Sequence, residues 1–298
     1  MSDSSSIRPW LLGARPRTLP AAVVPVLIGA ASALSATSET TVVWWRVLPA
    51  LVVSLALQVG VNYANDYSDG VKGTDDVRVG PMRLVASGTK SAASVKRAAL
   101  LSFAVAAVAG LGIALVTSWW LILVGLAAIV SAWTYTGGPR PYGYAGLGEV
   151  FVFVFFGVVA TTGTTFAVRE SITATSWVAS IAAGSFACAL LVVNNLRDIP
   201  TDSKVGKNTL AVRIGDRYTR VFFVSLFVIA AAMIGVLSQI SGEWSLLGLV
   251  GVAAAFPAIS RVINGARGSD LIAVLGIVGR AQMIFGVTCA VGIALALN

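Results

Sequence analysis

Histidine is absent from all 298 residues. That excludes imidazole general bases, histidine-ligated haem and histidine-built zinc sites, so any chemistry falls to carboxylates, amides, Lys, Arg and Tyr. Cysteine is nearly absent: Cys188 and Cys289 each lie inside an apolar run with no CxxC spacing, and read as two small hydrophobes packed in helices. Charge is scarce as well, at 11% of residues against 57% hydrophobic, with a mean hydropathy of +0.86. Soluble domains carry about 25% charged residues, and long apolar runs in their place mean transmembrane helices. The opening MSDSSSIRPW is polar and shows no small-residue cleavage site, so it is not expected to be a signal peptide.

What is present is an all-α membrane pattern. Nine apolar segments are predicted as spans, at residues 19–34, 47–62, 98–116, 119–133, 148–168, 176–193, 221–238, 244–259 and 281–297. Pro20 and Pro25 fall in the first, which membrane helices tolerate when neighbours re-satisfy the freed backbone groups. With the N-terminus cytoplasmic and the C-terminus outside, nineteen of the twenty-one basic residues face the cytoplasm and only Arg46 and Arg169 lie outside, the bias that sets orientation. The net charge of +8 then suits an anionic membrane lipid surface and an anionic substrate, and no nucleic acid partner is expected. The whole chain, 1–298, is expected to be a single transmembrane unit, with polar segments 63–97 and 194–220 carrying its site.

Those two polar segments hold the chemistry. VNYANDYSDGVKGTDD, Val61 to Asp76, contains four of the thirteen acids: Asp66, Asp69, Asp75 and Asp76. VNNLRDIPTDSKVGKNTL, Val193 to Leu210, repeats its spacing, since Asn194 and Asp198 are four apart like Asn65 and Asp69, with Asp202 following. Residues four apart share a helix face, so each pair can aim its oxygens at one point. Taken singly, each acid reads equally well as a solvated helix end. Matched on two spans that run in the same direction, they read as a cradle for hard divalent cations, which bind carboxylates together with substrate phosphates. Lys72 and Arg83 lie near the first cluster, and Arg197, Lys204 and Lys207 near the second. Carboxylates beside cations suit a polyanion that arrives with its own metal, namely a diphosphate.

Four blocks of this sequence carry a resemblance: ARPRTLPAAVVPVLIG (Ala14 to Gly29), NDYSDGVKGTDD (Asn65 to Asp76), YTGGPRPYGYAGLGEVFVFVFFG (Tyr135 to Gly157) and NNLRDIPTDSKVGKNTLAVRIG (Asn194 to Gly215). The chain resembles the UbiA superfamily of intramembrane prenyltransferases, and within it the branch acting on 1,4-dihydroxy-2-naphthoate. The superfamily's first motif, Asn-Asp-x-x-Asp-x-x-x-Asp, is matched by Asn65, Asp66 and Asp69; Gly73 stands in place of the third acid, and Asp75 and Asp76 follow. The second motif is matched by Asp198 and Asp202, and Arg83 falls where the family has an arginine before small residues.

The resemblance implies nine helices around a central cavity open sideways to lipid, in a bacterial plasma membrane, with the active site facing the cytoplasm. It also implies transfer of a polyprenyl group from polyprenyl diphosphate to 1,4-dihydroxy-2-naphthoate with loss of carbon dioxide, in menaquinone synthesis. Two Mg2+ ions are expected. Their ligands would come from Asn65, Asp66, Asp69, Asp75, Asn194, Asp198 and Asp202, with Asp66, Asp69, Asp198 and Asp202 catalytic. An allylic cation needs aromatic faces and exclusion of water. Tyr63, Tyr67, Trp133, Tyr135 and Tyr142 could supply the faces, or could simply form an interfacial belt. In the loop GGPRPYGYAGLGE, Arg140, Tyr142 and Glu149 are candidates to seat the acceptor, although the loop also reads as a plain connection and Glu149 as a helix N-terminal charge.

Other readings fit less well. Another aromatic acceptor is the nearest alternative. A CDP-alcohol phosphotransferase keeps its acids on adjacent helices, whereas these clusters lie about 130 residues apart. A transporter places charges near the midplane in broken helices, and a scaffold has no use for matched Asn-x-x-x-Asp pairs.

Overall fold

A computed structural model of the chain describes residues 7–34, 41–74 and 82–296. Asp75 and Asp76, candidates for closing the first acidic cluster, lie outside the described residues. Helices follow in order: α1 (Arg8–Gly13), α2 (Pro20–Ser32), α3 (Val47–Lys72), α4 (Ala92–Val116) and α5 (Leu121–Thr134). Then come α6 (Gly148–Val152), a π-helical segment (Phe153–Val159) and α7 (Ala160–Arg169), which run on as one, followed by α8 (Ala174–Asp202), α9 (Leu210–Ser241), α10 (Leu249–Ala254), α11 (Phe256–Ile263) and α12 (Asp270–Ala296). No strand occurs among the described residues.

Each expected span falls on helix, with 244–259 covering a 3-10 segment (Glu243–Gly248), α10 and α11, which together make one 21-residue crossing, Glu243–Ile263. Among the described residues, seven helices are long and apolar enough to cross a membrane unaided. An eighth crossing would join Arg8–Thr18 to Pro20–Ser32 through a 53° bend. Leu121–Thr134 is apolar but, at 14 residues, shorter than a full crossing. The protein is therefore an all-α integral membrane protein.

Local sequence sets several starts. Ser91 accepts the Ser94 amide at the head of α4, Thr209 accepts that of Val212 at the head of α9, and Thr173 with Ser176 forms a capping box on α8. α8 is the axis of the bundle, most of its residues from Thr175 to Asp202 being buried while Trp177 and Pro200 are exposed. Its small residues admit neighbours closely: a Cβ on Gly157 would fall 2.5 Å from the Gly184 Cα. Phe186 stacks on Phe285 of α12 at 4.5 Å and meets Phe227 of α9 edge-on at 5.3 Å.

Several boundaries differ from expectation, among them the starts of α4 at Ala92 rather than 98 and of α9 at Leu210 rather than 221. α3 continues past Asn62 to Lys72, and α8 past Val193 to Asp202. Hydropathy falls there while the helix persists, because Asn65, Asp66 and Asp69, and Asn195, Arg197 and Asp198, are buried with polar partners inside the protein. α12 begins at Asp270 rather than near Ala281, which puts Arg280 inside a helix. Gly279 packs on the Arg17 carbonyl, so Arg280 sits level with that arginine, its side chain exposed.

At the opposite end of the bundle, Arg46 donates to the Ala167 carbonyl at 3.2 Å, Glu170 at 2.8 Å and the Val116 carbonyl at 2.9 Å. Arg169 donates to the Ala33 carbonyl at 2.9 Å. These arginines satisfy carbonyls left over at the ends of α7, α4 and α2.

Candidate active site

A cavity of about 300 Å³ lies among α2, α3, α5, α7 and α8. One end is lined by Asn65, Asp69, Arg83, Asn194, Asp198 and Lys207. Tyr135, Tyr142, Phe151, Phe155 and Phe156 follow, and the far end is small and apolar, at Ala50, Gly110, Gly125 and Gly163. The glycines at 125 and 163 have open space where a side chain would stand. The π-helical segment, a local widening that recurs at functional sites, turns Phe155, Phe156 and Val159 together onto the cavity.

The four aspartates divide into two kinds. Asp66 accepts the backbone amide of Leu84 at 2.8 Å through one oxygen and that of Val85 at 3.0 Å through the other. It does not line the cavity; it fastens the loop that carries Arg83, whose neighbour Leu84 is wholly buried. Asp198 lines the cavity with its carboxylate held by Arg197, Nε to one oxygen at 2.7 Å and Nη2 to the other at 2.8 Å. Arg197 is buried and off the cavity, so it orients Asp198 rather than facing a ligand there. Asp69 and Asp202 come from different helices and meet at Lys207, whose Nζ lies 3.8 Å from an oxygen of each. Asn65 accepts the Thr136 hydroxyl at 2.8 Å, while Asn194 donates to its own helix at the Leu190 carbonyl, 3.3 Å away.

The loop between α5 and α6 closes over this end. Its Tyr144 hydroxyl donates to Asp69 at 2.7 Å. The Tyr144 ring has the Lys72 ammonium 4.9 Å and the Lys207 ammonium 5.2 Å from its centre, a double cation–π contact. Lys72 also donates to the Thr136 carbonyl at 2.7 Å, pinning the loop. Further along this loop Arg140 is exposed and off the cavity, contrary to expectation for a residue that seats an acceptor. Glu149 is buried and accepts from Asn195 at 2.8 Å, joining α6 to α8 rather than lining the cavity. Tyr142 does line it, stacked on Phe151 at 3.9 Å and edge-on to Tyr135 at 5.5 Å. Burial pushes both phenols up from their ordinary value, with the Glu149 charge adding to the effect at Tyr135, so each stays a neutral donor near pH 7. Lys204 is exposed. Tyr63, Tyr67 and Trp133 pack outside the cavity, with Tyr63 donating to the Trp10 carbonyl at 2.8 Å and Tyr67 stacked on Trp133.

Sequence reasoning missed Tyr144, Arg15 and the Phe151, Phe155 and Phe156 wall. The phenylalanine spacing in FVFVFF was a readable signal; Tyr144 gave none. Arg15 lines the cavity and holds a left-handed backbone, φ 53° and ψ 71°, uncommon for a residue with a side chain and concentrated at functional sites. Its carbonyl accepts the Thr18 hydroxyl at 2.9 Å, and that hydroxyl accepts from Gln58 and Asn62, each at 3.1 Å.

Among the described residues, no three acid or cysteine side chains converge closely enough to hold a metal alone. The donors present are oxygens in pairs, which suits a hard cation that shares its coordination with a ligand.

A charged head of acids and cations leading into an aromatic, then apolar throat, inside a membrane bundle, defines an intramembrane protein for an amphiphile with an anionic or metal-bearing head. The model of the UbiA prenyltransferase family matches residues 22–275. A Mycobacterium tuberculosis protein named 1,4-dihydroxy-2-naphthoate octaprenyltransferase is 46% identical over 97% of this chain and 98% of its own length. Among solved structures, an apo UbiA homolog from Aeropyrum pernix K1 superposes with a TM-score of 0.69 at 14% identity, covering 96% of this chain and 98% of that one. A UbiA homolog from Archaeoglobus fulgidus bound to GPP and Mg2+ gives 0.62 at 13% identity, covering 95% and 99%. The chain belongs to the UbiA prenyltransferase family.

Proposed function

We propose that this enzyme transfers a polyprenyl group from polyprenyl diphosphate to 1,4-dihydroxy-2-naphthoate in menaquinone biosynthesis. The prenyl C–O bond breaks, diphosphate leaves, a ring carbon forms the new C–C bond and the acceptor's carboxyl group departs as carbon dioxide. The observation that carries this reading is the single cavity that joins Asp69, Asp198, Arg83 and Lys207 to the wall of Tyr135, Tyr142 and Phe151 and then to an apolar end. The name of the Mycobacterium tuberculosis relative supports the choice of acceptor.

The head of the substrate is assigned to the acid end. Mg2+, two ions in this reading, would be held by Asp69, Asp198 and Asp202 with Asn65 and Asn194, sharing the diphosphate oxygens. The fit rests on an all-oxygen donor set and on a position between Asp69 and Asp202 that already attracts a cation, the Lys207 ammonium. The Archaeoglobus fulgidus homolog bound to GPP and Mg2+ supports it. Bound there, the metal supplies neutralisation of charge on the departing diphosphate. Arg83 and Lys207 contact phosphoryl oxygens, Lys204 steers the anionic head from the mouth, Asp66 holds the Arg83 loop in place, and Arg197 holds Asp198 in one orientation. Lys72 holds the loop of Tyr144. Tyr135, Tyr142 and Phe151 present ring faces to the allylic cation and exclude water. The tail continues past Phe155 and Phe156 toward Gly125 and Gly163.

The whole chain acts as one unit in a bacterial plasma membrane, N-terminus and acid end cytoplasmic. The concentration of basic residues at the acid end supports that orientation. Purified protein given naphthoate, radiolabelled polyprenyl diphosphate and Mg2+ is expected to yield a labelled apolar quinol and equimolar carbon dioxide, with chelation abolishing both. Product with a different aromatic acceptor and none with the naphthoate would overturn the assignment.

A further inference from the structure

We infer that Lys207 is a tethered counter-ion that occupies the cation position between the two acidic helices until a metal–diphosphate complex displaces it. The inference rests on the proposed diphosphate chemistry and goes beyond it, by assigning the lysine a role in the free enzyme. Its Nζ is equidistant, at 3.8 Å, from an oxygen of Asp69 on α3 and one of Asp202 at the end of α8. Its side chain is 16% exposed, and those of Asp69 and Asp202 are 2% and 8% exposed. Two carboxylates drawn together at such depth repel each other, and a cation between them relieves the repulsion.

The tether is built to let go. Lys207 follows Gly206, which has φ +72° and ends the short 3-10 turn Ser203–Val205, so the lysine projects from a connection rather than from a regular helix. Its backbone amide donates to the Asp202 carbonyl at 2.9 Å, keeping the base of the side chain beside the acid while leaving the ammonium movable. The contacts of that ammonium are ion pairs at 3.8 Å and the Tyr144 ring at 5.2 Å, looser than the 2.7–2.8 Å bonds that lock Arg197 to Asp198. The ring of Tyr144, fixed by its hydroxyl on Asp69 and flanked by Lys72, is the surface over which the ammonium moves. An incoming diphosphate offers the ammonium a stronger anion, and its metal takes the vacated place between the carboxylates. Loading of metal and diphosphate is thereby coupled: neither gains the site fully alone.

The test reads metal binding without turnover. Mn2+ serves as a paramagnetic probe, titrated by electron paramagnetic resonance into full-length protein in nanodiscs, with and without inorganic diphosphate. Wild type is expected to bind Mn2+ weakly alone and on the order of tenfold or more tightly with diphosphate present, from the removal of one like charge at close range. Lys207→Met is expected to bind Mn2+ alone on the order of tenfold more tightly than wild type, and to gain little further from diphosphate. Lys207→Arg keeps the charge and is expected to keep the wild-type pattern in direction. Unchanged or weaker Mn2+ binding by folded Lys207→Met overturns the counter-ion role while leaving the functional reading intact. Should that variant not fold, wild type binding Mn2+ as tightly alone as with diphosphate overturns it equally. No Mn2+ uptake by wild type even with diphosphate would defeat the metal–diphosphate reading and this inference with it.

Discussion

Replacing Asp66 with Asn leaves one oxygen where two accept the Leu84 and Val85 amides at 2.8 and 3.0 Å, and turns an NH2 group toward one of those N–H donors. The carboxylate is 1% exposed, so water cannot take over the lost contact. A hydrogen bond to a charged group contributes about 1.5–3 kcal/mol, which converts to a factor of about 10 to 150. The loop that presents Arg83 to the cavity should be weakened by that factor. Two measurements follow it. Hydrogen–deuterium exchange at Leu84 and Val85 should accelerate by about 10- to 150-fold, and kcat/KM for the prenyl diphosphate should fall over the same range. Asp66 is thereby a residue that acts through Arg83. Lost activity with unchanged protection of the two amides would refute it and return Asp66 to the metal ligands, where its place in the aspartate motif had put it.

Arg140→Ala should leave KM for both substrates within the equivalent of about 0.5 kcal/mol, as for an ordinary surface change; a selective rise for the naphthoate would show that the loop folds inward on binding. Gly157→Ala puts a methyl 2.5 Å from the Gly184 Cα, backbone that cannot turn aside, and should cost about 1–3 kcal/mol, seen as a lowered thermal midpoint in detergent. Normal stability there would mean that the two helices are not so close. A cysteine at Lys204 should react with an impermeant thiol reagent only from the cytoplasmic side, and one at Glu170 only from outside; the reverse pattern would invert the proposed orientation.

Composition and hydropathy were enough for the class of fold, because a bilayer admits few solutions: every backbone polar group must be satisfied within a helix, and apolar length reports each crossing. The Asn-x-x-x-Asp spacing was likewise legible, since residues four apart share a helix face whatever surrounds them. It paired Asn65 with Asp69 and Asn194 with Asp198, and all four line one cavity in the structure. Span ends were less legible. Hydropathy measures affinity for lipid, and α3 and α8 extend into residues that are polar yet buried in protein.

The division of labour within the site was decided by tertiary structure alone. Asp66 and Asp69 are three residues apart on one helix, yet one reaches the Leu84–Val85 backbone and the other the Tyr144 hydroxyl and Lys207. No local pattern distinguishes them, because their partners lie 18, 75 and 138 positions away in the chain. Arg46 and Arg169, read from the sequence only as the two charges on the far side, became supports for the carbonyl ends of three helices. Arg140 and Tyr144 share a loop, yet one is exposed and the other sits over the acids, where its hydroxyl meets Asp69 and its ring meets Lys72 and Lys207. Periodicity and residue type decide which groups can gather at a membrane edge; which of them touch depends on contacts between segments far apart in sequence, and those exist only once the bundle has closed.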